Sequence, residues 1–286
     1  MKNITIALIS VLFCFGIANS QTTIQDGTEV SGIWTKAASP YLIEGEITVP
    51  NGDTLISESG VRIEMMGWYK FNVKGHFEAL GSEGDTIVFT TNHPDSTWHG
   101  LRFDWPRDTV RLNYVKIENG HAELIGSGWG YNRDGGGIYA SRGNYIIENS
   151  VIQNNYAESA GGGCYFQYAD VKIINSRVSG NSSTYGGGLS MQDPDSRLIL
   201  INSVIRGNDC TQNGGRINCN YTPFSIYNCE ISGNTARWGG GIYNGYVRTD
   251  LFLVSNTLIS KNTAERGSGF YGYSNYSNGI FSQCSF

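Results

Sequence analysis

The sequence predicts an all-β fold, a right-handed parallel β-helix of about nine coils. Three observations lead there. Two short motifs recur with one shared period, and the residues between them alternate apolar and polar. The composition, with 38 glycines, six prolines and four methionines in 286 residues, has neither a collagen period nor a 3.6-residue helical one.

The chain opens with Lys2, an apolar run from Ile4 to Ile17 and the small residues Ala18-Asn19-Ser20. That order reads as a secretory signal peptide over residues 1–20, cut between Ser20 and Gln21. The run, about fourteen residues, is shorter than the ~20 a spanning helix needs. No later stretch is apolar enough to span, so no transmembrane segment is expected in the mature chain. Residues 21–46 are expected to cap the first coil of a solenoid that occupies 47–286. In its first part Ile47-Thr48-Val49, Val61-Arg62-Ile63, Phe71-Asn72-Val73, Ile87-Val88-Phe89, Leu101-Arg102-Phe103 and Val115-Lys116-Ile117 read as short strands. Turn residues such as Asn51-Gly52-Asp53 and Gly84-Asp85 separate them. Residues 122–134, with Trp129 and Tyr131, interrupt the period and read as an inserted loop, a frequent seat of function on a repeat scaffold.

Regular repeats begin at about residue 135. Gly135-Gly136-Gly137-Ile138 recurs from Gly161, Gly186, Gly214, Gly239 and Gly267, at intervals of 26, 25, 28, 25 and 28. An Asn followed six residues later by another recurs as Asn149/Asn155, Asn175/Asn181, Asn202/Asn208, Asn228/Asn234 and Asn256/Asn262, at intervals of 26, 27, 26 and 28. Ile138, Cys164, Leu189, Ile217, Ile242 and Phe270 form one apolar column, and Tyr139, Tyr165, Ser190, Asn218, Tyr243 and Tyr271 form the next. A period of two points the first column inward and the second outward. The buried parity changes at the first Asn of each coil, so a corner is expected there. Asn tolerates left-handed dihedrals, and its amide can bond to the Asn of the neighbouring coil, which gives both Asn columns a structural role as ladders.

The formal charge is −5, or 19 − 25 = −6 without Lys2, and no basic run appears, so nucleic acid is not an expected partner. Five cysteines remain once Cys14 leaves. Cys164 stands where other coils have Ile or Leu and reads as a buried apolar residue. Cys210, Cys219 and Cys229 are close enough for one disulfide in an exported protein, and their spacing does not name the pair.

The alternation of Gly-Gly-apolar with a tetrapeptide ending in Asn, as in Ile152-Gln153-Asn154-Asn155, Val178-Ser179-Gly180-Asn181 and Ile231-Ser232-Gly233-Asn234, resembles the repeat of chlamydial polymorphic outer-membrane proteins. Those are surface-exposed β-helix adhesins. In every copy here Ile or Val replaces the family's Phe, which loosens the tie to the adhesins and keeps the tie to exported bacterial β-helix proteins. The resemblance covers about half the chain. It implies secretion or an outer-membrane-associated surface location in a Gram-negative bacterium, and a polysaccharide or surface protein as partner.

The enzymatic alternative is a polysaccharide lyase or glycoside hydrolase of the pectin-degrading β-helix type, which needs carboxylates grouped around Ca²⁺ or facing one glycosidic bond. Glu148, Asp170, Asp209, Glu230 and Asp250 each stand alone in their columns, Asp170 beside Arg197. His76, His93, His99 and His121 show no metal-binding spacing, so no catalytic residue, metal or cofactor is assigned. The candidate binding residues are aromatic: Tyr139, Tyr165, Tyr243 and Tyr271 in the outward column, Tyr185 and Trp238 beside the glycine corner, and Trp129 and Tyr131 in the inserted loop. They read either as rings packed along a sheet or as a platform for sugar rings or a protein partner. The chain is therefore expected to be a non-catalytic binding or adhesion module. Its last residues, Phe281–Phe286, align on Ile226–Ile231, so the sequence stops in mid-coil; the chain is expected to be a fragment of a longer protein or to be capped at that end by something else, and as it stands to self-associate through it.

Overall fold

The computed structural model describes residues 20–93, 95–124, 131–212, 214, 216–245, 252–273 and 279–286. Residues 1–19 of the expected signal peptide, Trp129, Gly215 and Asp250 lie outside that set, as does the side chain of Tyr131.

Short stretches of alternating apolar residues, each closed by a residue that accepts a left-handed conformation, wind into a parallel β-solenoid of about nine turns. One coil shows the logic. Strand Ile138–Glu148 bends at Arg142 (φ 64°), turns at Asn149 (φ 50°) into Val151–Gln153, turns at Asn154 (φ 55°) into Tyr156–Ala160, and turns at Gly161 (φ 67°) into the next coil. Each of these segments pairs in parallel with its counterparts above and below, forming sheets of ten, six and seventeen strands among the described residues. The register Ile138↔Cys164↔Leu189↔Ile217↔Ile242↔Phe270 is the apolar column of the sequence. That column lines a single core running along the solenoid, and Phe71, Phe77, Phe89, Phe103, Tyr145 and Phe166 fill its first half.

All six strands expected between 47 and 117 form. Three more, Thr54–Glu58, His76–Leu80 and Val110–Asn113, join the largest sheet as the second strand of their coils. Residues 21–46, expected as a cap, supply Thr22–Ile24, Gly32–Trp34 and Tyr41–Ile43, and these pair in parallel with the coils that follow.

The two Asn columns behave differently. The first takes the left-handed corner itself, and its amides form an outer ladder: Asn175 Nδ2 donates to Asn149 Oδ1 (3.3 Å), Asn202 to Asn175 (3.1 Å), Asn228 to Asn202 (3.1 Å) and Asn256 to Asn228 (2.8 Å). The second column is buried up to Asn234, with Asn262 half-buried, and leaves the left-handed conformation to the residue before it, Asn154, Gly180, Gly207, Gly233 or Lys261. Its amides bond along the column, Asn155 to Asn181 (2.9 Å) and Asn181 to Asn208 (2.8 Å), and also close backbone carbonyls such as Ile152 O and Val178 O. A third ladder follows the small column: Ser150 N donates to Ser176 Oγ (3.0 Å), Ser176 N to Ser203 Oγ (3.1 Å) and Ser203 N to Cys229 Sγ (3.4 Å).

At the second position of the inner triples glycine leaves room for the neighbouring backbone, while the last coil has Ser268 there. A Cβ on Gly136 or Gly162 would overlap carbonyl oxygens of neighbouring strands. Arg216 stands at the third position, where other coils have Gly. Its buried guanidinium donates to Asn234 Oδ1 (2.6 Å), and its Nε has no partner among the described residues.

Cys164 is buried as expected. No disulfide joins Cys210, Cys219 and Cys229: all three keep their thiols. The solenoid separates them, with Cys219 in the lumen, Cys229 in the small-residue ladder and Cys210 in the six-stranded sheet.

Candidate binding groove

The outward tyrosine column forms, but it is a packed stack. Tyr139 and Tyr165 lie 5.7 Å apart and 6° from parallel, and Tyr243 and Tyr271 5.7 Å and 13°. Tyr139, Tyr165 and Tyr243 are 7, 4 and 5 % exposed, so they offer a ligand almost no ring face. Their hydroxyls are engaged too: Tyr165 Oη donates to Gln192 Oε1 (2.9 Å), and Gln167 Nε2 donates to Tyr139 Oη (3.3 Å). Alternation fixes the side of the strand a residue takes, and it is silent on what lies over that side. Tyr271 and Trp238 are half-buried against each other, with rings 5.7 Å apart, while Tyr185 is exposed.

One end of this column is closed by Arg102, in register with Tyr139. The buried Arg102 Nη2 donates to His99 Nδ1 (2.6 Å), and its guanidinium lies 5.6 Å from the Tyr139 ring centre. Burial, reinforced by the Arg102 and Lys70 charges, pushes His99 down to about 2, so the imidazole is neutral.

The exposed aromatics sit at the next corner. Residues 105, 142, 168, 193 and 221 mark the bend between the two strands of the largest sheet, all at positive φ. Three neighbouring coils place Trp105, Arg142 and Tyr168 there. The Arg142 guanidinium lies 4.3 Å from the Trp105 ring centre and 5.6 Å from that of Tyr168, within cation–π range. Trp105 is 64 % exposed and Tyr168 44 %. The aligned bulky residues were present in the sequence, and the register Asp104↔Ser141↔Gln167 would have brought them together. They escaped notice because residues 122–134 hide the alignment of the earlier coil.

A concavity flanks this ridge on either side. One, of about 300 Å³, lies on the outer face of the second strands and is lined by Thr109, Asn144, Ile146, Asp170, Lys172 and Arg197, among others. Asn144, Asp170 and Arg197 occupy one column on adjacent strands, and Ile146, Lys172 and Ile199 the next. The other, of about 430 Å³, is lined by Asn51, Lys74, Asp104, Trp105, Pro106 and Arg107. Upstream on the same sheet, His76 lies 3.8 Å from both Glu78 and Asp108, and Arg111 lies 3.5 Å from Glu78. Among the described residues no group of three or more His, Cys, Asp or Glu side chains could hold a metal ion. No described helix is long and apolar enough to cross a membrane.

No protein-family model, curated protein or solved structure matches the chain, and the likeness to chlamydial repeats has no support beyond the motifs themselves.

Proposed function

We propose that the chain is an exported or cell-surface binding module that holds an extended glycan along the Trp105–Arg142–Tyr168 ridge, without catalysis. The ridge is the observation behind this reading. Its corner requires a left-handed residue, a need that Asn or Gly meets with little strain at most of the other corners, Tyr114, Lys261 and Gln283 being the exceptions. Trp and Tyr meet it at a cost of about 1–3 kcal/mol, a strain that concentrates at ligand sites. Exposed rings backed by a fixed scaffold and bordered by polar clefts suit sugar rings, which present one apolar face and many hydroxyls.

The test is binding to a panel of soluble polysaccharides by affinity electrophoresis. Trp105→Ala with Tyr168→Ala is expected to weaken binding at least tenfold, or ~1.4 kcal/mol. Binding that survives both changes overturns the assignment to the ridge. The enzymatic reading draws on His76 between Glu78 and Asp108. Release of reducing or unsaturated sugars that Glu78→Gln abolishes would decide for it.

A further inference from the structure

We infer that the groove selects acidic glycans, carrying carboxylate or sulfate, over neutral ones; this rests on the glycan-binding reading above. The inference comes from charges that the solenoid gathers and leaves uncompensated. Lys74, Arg107, Arg142, Lys172 and Arg197 are spread over 124 positions of a chain whose formal charge is −5. In three dimensions all five line the ridge or its two flanking clefts. The acids lining the same surface are Asp104 and Asp170, so the local balance is 5 − 2 = +3.

None of the five cations forms an ion pair among the described residues, although elsewhere Lys36, Arg62, Lys116 and Arg237 do. Asp170 and Arg197 are register partners on adjacent strands, and even they are not joined. Arg142 is held between two rings, which orients its guanidinium while leaving its N–H groups to a ligand. A planar fork of this kind matches carboxylate or sulfate oxygens. Lys172 and Arg197 lie on successive coils, Lys172 in register with Ile199 and Arg197 with Asp170, so the two cations stand in adjacent outward columns of strands ~4.8 Å apart. An anionic chain crossing the two strands obliquely would therefore meet one of these cations on each. The rings argue for sugars over a nucleic acid, since the surface alternates single cations with apolar Ile146 and Ile199 and carries no dense basic run.

The experiment measures binding of the mature chain to polygalacturonate, dextran sulfate, unmodified dextran and neutral galactan, with single-stranded DNA and polyglutamate as non-glycan polyanions. The Lys172→Gln/Arg197→Gln double variant is compared at 50 and 500 mM NaCl. The expected result is preference for one or both acidic glycans, weakened about tenfold by salt and about tenfold by the double change. Polygalacturonate against dextran sulfate separates a carboxylate from a sulfate requirement. Equal binding of neutral glycans, unaffected by the double change, overturns the charge selection and leaves the glycan reading standing. DNA or polyglutamate bound as tightly as the acidic glycans overturns sugar recognition. Binding to none of the polymers overturns both readings.

Discussion

Asn181→Ala removes one amide from the middle of the buried ladder, and the cost follows from its bonds. Asn181 Oδ1 accepts from Asn155 N (3.0 Å) and Asn155 Nδ2 (2.9 Å), and Asn181 Nδ2 donates to Ile152 O (3.1 Å) and Asn208 Oδ1 (2.8 Å). The side chain is 1 % exposed, so water cannot replace these partners. Four buried hydrogen bonds at a net ~1 kcal/mol each put the loss at about 4 kcal/mol. The outer ladder supplies the control. Asn175 makes two amide bonds in the open, to Asn149 (3.3 Å) and from Asn202 (3.1 Å), where water substitutes. Its φ of 50° also strains Ala, so the cleaner control is Asn175→Gly, expected to cost under about 1 kcal/mol. Urea unfolding followed by circular dichroism measures both as shifts of midpoint at unchanged slope. Equal losses in the two variants, or a loss below about 1 kcal/mol for Asn181→Ala, would refute the distinction between a structural inner ladder and a solvated outer one.

His99 gives a pH dependence with a definite sign. Its folded pKa of about 2 lies below the unfolded ~6.5, so between these values only the unfolded chain takes up the proton. Stability is whole above pH ~6.5 and falls as pH drops, by up to ~1.4 kcal/mol per unit, and His99→Gln should flatten that part of a pH 7 to 4 series of urea midpoints. Arg216→Gly restores the glycine triple and frees Asn234 Oδ1 to continue the inner ladder, so a gain of about 1 kcal/mol is expected, and a lowered midpoint would count against it. Burial pushes the Cys210 and Cys229 thiols up to about 11 and those of Cys164 and Cys219 higher still. Iodoacetamide should therefore label native protein at the half-exposed Cys284 and reach the other four only after unfolding; mass spectrometry locates the adducts.

The misjudged and overlooked residues divide along a physical line. Tyr139, Tyr165 and Tyr243 lie on the outward side that alternation assigns them, yet they are buried: Arg102, Gln167 and Gln192 pack on and bond to the Tyr139–Tyr165 pair, and Tyr243 stacks on Tyr271. The ridge was missed for the opposite reason. Trp105 and Arg142 are 37 positions apart, and they meet only because one coil lies on the next.

The sequence by itself determined the coil. A strand's two-residue period and a corner's demand for left-handed dihedrals are local constraints, so the inward column, the Asn corners and the glycine triples can be read off one repeat and counted along the chain. The tertiary structure decided which outward residues stay accessible, how Cys210, Cys219 and Cys229 are kept apart, and where single cations from five coils converge. These depend on the lateral stacking of coils and on what covers each face, and stacking brings together residues whose separation along the chain carries no local trace.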